Sequence, residues 1–260
     1  VSDFSSGSNG RIFADRRQAG RELAARLLAR DAQRHDAHGA AGARPILERS
    51  APPVVLALPR GGAPVGFEVA AALGAPLDVL LARKIGAPGN PELGMGALAE
   101  GGVMVLSENV LRGLLVSQEE FEHAAAGAEA EMRRRVRLYR EDRAPLALEG
   151  RTAILVDDGL ATGCTARAAI RAARARGAAH VVLATPVGAH STVKALSAEA
   201  EVVCLLEPEP MWAIGMWYGD FSQVPDHEVL TLLAQARDRA RPRQPSPPSG
   251  ANPDAGAADG

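Results

Sequence analysis

Little in this sequence can cross-link or ligate. Cysteine occurs twice in 260 residues, as Cys164 and Cys204. That is too few for a disulfide framework, and no Cys/His grouping has zinc-site spacing. An excess of charge of one sign is also missing. The formal net charge is −2, which gives no electrostatic reason to expect nucleic acid or an anionic membrane as a partner. No apolar run approaches the roughly 18–20 residues a membrane span needs. The opening VSDFSSGSNG lacks the basic and apolar regions of a secretory leader. The expectation is a cytoplasmic protein. Lysine is nearly absent as well: Lys and Arg together number 29, and only Lys84 and Lys194 are lysines. In a chain so biased towards arginine, a retained lysine draws attention.

What is present is a globular composition. Hydrophobic residues make up 47% and charged residues 23%, outside the range of disordered chains. The length suits one domain with an inserted or appended element. Residues 1–14 read as a flexible tail and the Pro/Gly/Ala-rich 241–260 as a disordered one. The domain is expected over 15–240.

Within it, DRRQAGRELAARLLAR (15–30) has helical periodicity with Asp15 as cap. Residues 31–52 read as a loop. PVVLALP (53–59), LDVLLARK (77–84), VMVL (103–106), RTAILVD (151–157), HVVLATPV (180–187) and EVVCLL (201–206) read as strands. Helices are expected at 64–74, 117–141, 164–176, 191–200 and 226–240. Residues 85–102 hold too much Gly and Pro for regular structure, and a loop of that length is usually functional or mobile. Alternating strands and helices predict an α/β fold, a Rossmann-like parallel sheet with helices on both faces. The irregular 207–226 holds most of the large aromatics.

The chemistry concentrates in ILVDDGLATGCT (154–165). An apolar strand ends in Asp157 and Asp158, at the carboxyl edge where open parallel sheets bind ligands. A loop of small residues then opens a helix. Gly159 and Gly163 permit tight turns, successive N–H groups form an anion nest, and the helix N-terminus adds partial positive charge. Thr162 and Thr165 can add hydroxyl donors. A Walker A lysine is lacking, and the dinucleotide fingerprint has no paired carboxylates before its loop. Carboxylates would repel a phosphate, so they must face another part of the ligand. Vicinal hydroxyls suit them, since a carboxylate only accepts hydrogen bonds. A phosphate beside a diol describes a ribose 5-phosphate unit. Asp-Asp-Gly alone would read as a turn and cap; the twelve residues together do not.

This stretch resembles the PRPP-binding signature of type I phosphoribosyltransferases, most closely a bacterial branch of that family with motifs near those of adenine enzymes. The resemblance implies that Asp157 and Asp158 bind the ribose hydroxyls and that Ala161, Thr162, Gly163, Cys164 and Thr165 wrap the 5-phosphate. LPRGGAPVG (58–66) is similar to the family's pyrophosphate loop, which gives Arg60, Gly61 and Gly62 that role: glycines bring N–H groups close and arginine forks onto phosphate oxygens. ARKIGAPGNPELGMGALAEGG (82–102) is similar to the family's mobile lid, which implies catalytic roles for Arg83, Lys84 and Glu100, with Glu92 also in the loop. Ala161 stands where hypoxanthine–guanine enzymes carry a proton-transfer aspartate, which argues against that subclass. Cys164 reads as loop filler.

The implied fold is that family's, with a small hood at 207–226 and an inserted helical segment at about 107–150. Trp217 and Tyr218, with Trp212 and Phe221, are the stacking candidates for an acceptor; alternatively these aromatics cover the sheet edge. The implied activity is PRPP-dependent transfer of a 5-phosphoribosyl group to a nitrogenous acceptor, a nucleobase by analogy, with release of pyrophosphate. Mg²⁺ would arrive on PRPP, with no direct protein ligand expected. The alternative is a PRPP-binding sensor without transfer activity. A PRPP synthase is disfavoured because no ATP-site element is seen. Neither nucleic acid nor membrane is expected as a partner, and a homodimer is compatible with the reading.

Overall fold

A computed structural model describes residues 12–36, 51–113, 116–141 and 143–240. The readings of 1–11 and 241–260 as tails and of 37–50 as loop lie outside the described residues. In chain order the elements are α1 (Arg16–Asp36), β1 (Val54–Ala57), α2 (Gly62–Leu73), β2 (Leu77–Val79), β3 (Ala82–Ala87), β4 (Asn90–Ala99), β5 (Val103–Leu106), α3 (Glu108–Gly113) and α4 (Gln118–Arg140). Then come β6 (Thr152–Val156), α5 (Cys164–Ala175), β7 (His180–Val187), α6 (His190–Ser197), β8 (Glu201–Leu206), a 3₁₀ turn (Ile214–Trp217) and α7 (Asp226–Ala240). No described helix is long and apolar enough to cross a membrane.

Five strands form a parallel sheet in the order β2-β1-β6-β7-β8. Its strands read as unbroken apolar runs because both faces are buried. Alternate residues serve opposite faces. Val55, Ala57, Ile154 and Val156 pack with Leu23 and Leu27 of α1, Val65 and Val69 of α2 and Val229 and Leu232 of α7. Val54, Leu56, Ala153 and Leu155 pack with Ala169, Ile170 and Ala173 of α5. Each fully buried Val, Leu or Ile contributes about 1.5–3 kcal/mol to this core. From β1 the chain crosses outward to β2; from β6 it crosses the other way to β7. The crevice between the carboxyl ends of β1 and β6 is therefore the switch point where such sheets take ligands.

The region expected to be irregular is instead a second sheet. β3, β4 and β5 form an antiparallel unit, with register shifts at Ile85/Gly86 and Gly86/Ala87. The expected strand 77–84 is split between the two sheets, and the expected loop 85–102 contributes most of the hairpin. Glycine inside these strands marks close backbone approach, not loop. A Cβ on Gly86 would lie 2.6 Å from Pro91 O, and one on Gly96 2.4 Å from Val105 O.

The long helix α4 starts at a capping box, Ser117 with Glu120, as its acidic start suggests. Its last turn is anchored in the core. Arg140 Nη1 donates to Glu100 Oε2 at 2.6 Å and Nη2 to Val79 O at 2.7 Å. The neighbouring Tyr139 hydroxyl donates to Asp226 at the start of α7. Residues 12–14 depart from the expected tail. Phe13 is buried, its N–H donates to Trp217 O at 2.9 Å, and Gly219 N donates to Phe13 O at 2.7 Å.

Candidate active site

The last residue of β6 is Val156, and the next two are the carboxylates. Asp157 Oδ1 accepts from the Asp158 backbone N–H at 2.9 Å. Asp158 is then held from three sides. Arg16, at the start of α1, donates from Nε to Oδ2 at 2.8 Å. The Tyr218 hydroxyl donates to the Asp158 main-chain oxygen at 2.6 Å. The third side is the loop after β1, where Leu58 N donates to Val156 O at 2.8 Å. A Cβ on Gly61 would sit 2.0 Å from Asp158 Oδ2, and one on Gly62 2.4 Å from Val156 O. Only glycine allows this approach. The Pro59–Arg60 peptide is cis. The two motifs, nearly 100 residues apart in sequence, thus share one wall.

Electrostatics follow from this crowding. Burial first, and then the neighbouring Asp158 charge, push the Asp157 carboxyl well above the usual carboxylate range, with Arg16 opposing. Burial, reinforced by the Asp158 charge, raises the Tyr218 hydroxyl too, so at neutral pH it remains a donor.

Beyond the carboxylates, Leu160 N donates to Val187 O at 2.9 Å and ties the loop to β7. Ala161 and Thr162 are exposed, while Cys164 and Thr165 are half-buried. Gly163 caps α5 with φ of 74°, a left-handed conformation that favours glycine. Thr192 of α6 donates to Ala161 O at 2.6 Å and braces the turn. The first N–H groups of α5 have no intrahelical acceptor, and they lie at this opening. The arrangement can hold an anion at 161–165 and a hydroxyl-bearing group at 157–158.

The remaining expected residues scatter. Arg60 stays at the crevice, with Nη1 4.0 Å from Asp226 Oδ1, whose carboxylate also takes the Tyr139 hydroxyl. Arg83 and Lys84 are mid-strand in β3, not at a strand end, and face opposite ways. Lys84 pairs with Ala97, which pairs with Val105, and those two pack with α5. Lys84 therefore lies on the face towards the α5 side, its stem passing over Gly94. Arg83 pairs with Leu98 on the α4 side and has Nη1 3.9 Å from Glu131 Oε1. Their stems thus leave opposite faces of β3, although both residues border one cavity. A cavity of about 880 Å³ between the hairpin and α4 is bordered by Arg83, Lys84, Pro88, Pro91 and His123. Neither Asp157 nor 161–165 borders it.

Glu100 is not brought to the crevice. Its Oε1 accepts Leu81 N at 3.0 Å, its Oε2 accepts Arg140, and it is buried. The resemblance gave it a catalytic role; here both oxygens are occupied by anchoring. Tyr218 is also removed from stacking. It is buried, with ring centroids 5.5 Å from Phe13 and 5.0 Å from Phe221, and it covers the sheet edge. Trp217 packs half-buried in the same cluster. Arg16 is the participant that sequence reasoning missed. Its only signal is its position beside the Asp15 cap, which does not tell one helix arginine from another.

Comparison with known proteins agrees with this fold. Residues 37–217 match the family model described as phosphoribosyl transferase domain. Two curated proteins of Mycobacterium tuberculosis, "Putative phosphoribosyl transferase Rv0571c" of strain H37Rv and "Putative phosphoribosyl transferase MT0597" of strain CDC 1551, are each 44% identical over 227 residues, covering 87% of this chain and 47% of theirs. The chain spans about half the length of these curated relatives. The crystal structure of TT1426 from Thermus thermophilus is similar with a TM-score of 0.67 and 42% identity, covering 86% of this chain and 98% of that one.

Proposed function

Since this chain belongs to the phosphoribosyl transferase domain family, we propose that it binds Mg-PRPP and transfers the 5-phosphoribosyl group to a nitrogenous acceptor, a nucleobase by analogy, releasing pyrophosphate. The observation that carries this reading is the contact between the two motifs. The Gly61 backbone stands directly against the Asp158 carboxylate, so a ligand held through its diol at 157–158 has its C1 substituent beside Arg60 and the main chain of 60–61. The α5 N-terminus takes the 5-phosphate at the other end.

In this reading Asp157 and Asp158 accept the ribose hydroxyls. The 161–165 turn holds the phosphate with neutral donors and the helix partial charge. Arg60 forks onto the leaving group as the C1–O bond lengthens and positive charge grows on the ribose. Lys84, on the face towards α5, adds positive charge as the hairpin closes and excludes water from the oxocarbenium-like state. Magnesium would be carried by PRPP oxygens and water and would supply positive charge to the pyrophosphate; this chain would hold it only through the ligand, with Asp157 and Asp158 at the diol and Arg60 at the pyrophosphate. No nucleophilic side chain is required.

A second reading, a PRPP sensor, has one observation in its favour: Glu100 is committed to Arg140 and leaves no acceptor-directed carboxylate at that position. Pyrophosphate release measured across purine, pyrimidine and pyridine bases separates the two. Release with one base class supports transfer. Binding of Mg-PRPP without release from any base favours the sensor. No binding at all overturns both.

A further inference from the structure

We propose that Arg16 is a positioning residue of the diol clamp, acting on ligand through Asp158. This rests on the PRPP reading and goes beyond it, because neither motif of that reading includes α1. Arg16 is too well fastened to be a passing surface contact. Nε donates to Asp158 Oδ2 at 2.8 Å and Nη1 to Ser222 O at 2.8 Å. The guanidinium carbon lies 4.0 Å from the Phe221 ring centroid and 5.9 Å from that of Tyr218. The residue is 8% exposed. Its plane is thus fixed by an aromatic face and a main-chain carbonyl before it reaches the carboxylate.

Two consequences follow. With Oδ2 occupied by Arg16 and flanked by Gly61, the rotamer of Asp158 is set and its second oxygen is the one left for a ribose hydroxyl. The cation also offsets two adjacent carboxylates. Among the described residues, the groups set against this pair are Arg16 from α1, Tyr218 from the hood and the uncharged Gly61 backbone from the loop after β1. Tyr218 stays protonated, so among these groups Arg16 is the cation, and its charge opposes the upward shift of Asp157. A diol needs the pair ionised, because a protonated carboxyl loses acceptor capacity.

The test is calorimetric titration of Mg-PRPP into wild type, Arg16→Gln and Arg16→Lys across a pH series. The ligand's own ionisation is common to all three and cancels. Arg16→Gln is expected to bind about tenfold or more weakly, as loss of a charge-assisted bond implies. Its acid limb should move to higher pH, since the Arg16 charge beside Asp158 no longer opposes the upward shift of Asp157. Arg16→Lys keeps the charge but not the fork. It should keep the wild-type acid limb and bind severalfold more weakly. A folded Arg16→Gln with wild-type affinity and acid limb overturns the inference. So does a variant that fails to fold, because Arg16 would then be structural first. Wild type that binds no Mg-PRPP overturns the underlying reading instead, and the two failures are distinguishable.

Discussion

The two sheets hold their site residues in opposite ways. Asp157 and Asp158 follow a strand buried on both faces and are fixed by Arg16, Tyr218 and the Gly61 backbone. Lys84 sits mid-strand in a half-exposed, bulged hairpin, and a glycine lies under its stem. A group that must define where a ligand sits is built on rigid, buried backbone. In the proposed function Lys84 arrives with a closing hairpin, whose pairing shifts register around Gly86 while Ile85, Met95, Ala97, Leu98 and Val105 anchor it in the core. The same contrast separates Glu100 from Lys84: Glu100 directly follows β4, where it is tied to Leu81 N and to Arg140 of α4.

Changes at Glu100 should have the largest effect. Glu100→Ala removes the nearer of the two carboxylates beside buried Arg140, leaving Asp78 at 3.7 Å, and also strips Leu81 N of its acceptor, which should cost about 1.5–3 kcal/mol. Chemical denaturation should show this loss, while turnover per folded molecule survives. A large kcat loss without loss of stability would return Glu100 to catalysis. Lys84→Ala probes the moving part. Turnover should fall on the order of 100-fold, the scale of one lost charge-stabilising donor, with PRPP affinity nearly unchanged. Equal losses in both would make the lysine a ground-state binding group and erase the contrast between the sheets.

Asp157→Asn probes the rigid part, and its sign is distinctive. The folded carboxyl titrates above its ordinary value of 3.8, so the folded state loses stability as pH rises through that value towards the folded one. Asn removes this penalty. Thermal melts at neutral pH should therefore show a more stable protein, while affinity for Mg-PRPP falls on the order of 100-fold, the contribution of two charged hydrogen bonds. A destabilised Asp157→Asn would mean that the carboxylate supports the fold. Tyr139→Phe should have the smallest effect. Losing its hydrogen bond to Asp226 should cost about 1 kcal/mol, with a slight weakening of pyrophosphate binding through Arg60.

The parallel sheet was legible in sequence for the reason it is rigid. Runs such as 151–157 and 180–187 are apolar at nearly every position because both faces are buried, and helices alternate between them. α4 was legible from its acidic start and basic end, which suit the helix dipole. The 154–165 stretch could be read as diol plus phosphate because its residues are contiguous and their chemistries conflict unless the ligand is divided between them. The hairpin was not legible. Gly86, Gly94 and Gly96 look like loop residues, yet they allow close approach within strands, and only coordinates show what they approach. The placements of Glu100 and Arg16 were hidden for another reason. Their partners, Arg140 and Asp158, lie 40 and 142 residues away, and nothing local in an arginine or glutamate names a partner at that distance.

The central claim is that the loop after β1 and the carboxylates after β6 grip one ligand. Calorimetry of Mg-PRPP on wild type and Gly61→Ala tests it most directly, because the added methyl would fall 2.0 Å from Asp158 Oδ2. The account predicts saturable 1:1 binding by wild type and at least about tenfold weaker binding by Gly61→Ala, with the circular dichroism spectrum unchanged. Equal affinities for the two proteins, or no binding heat from wild type, would contradict it.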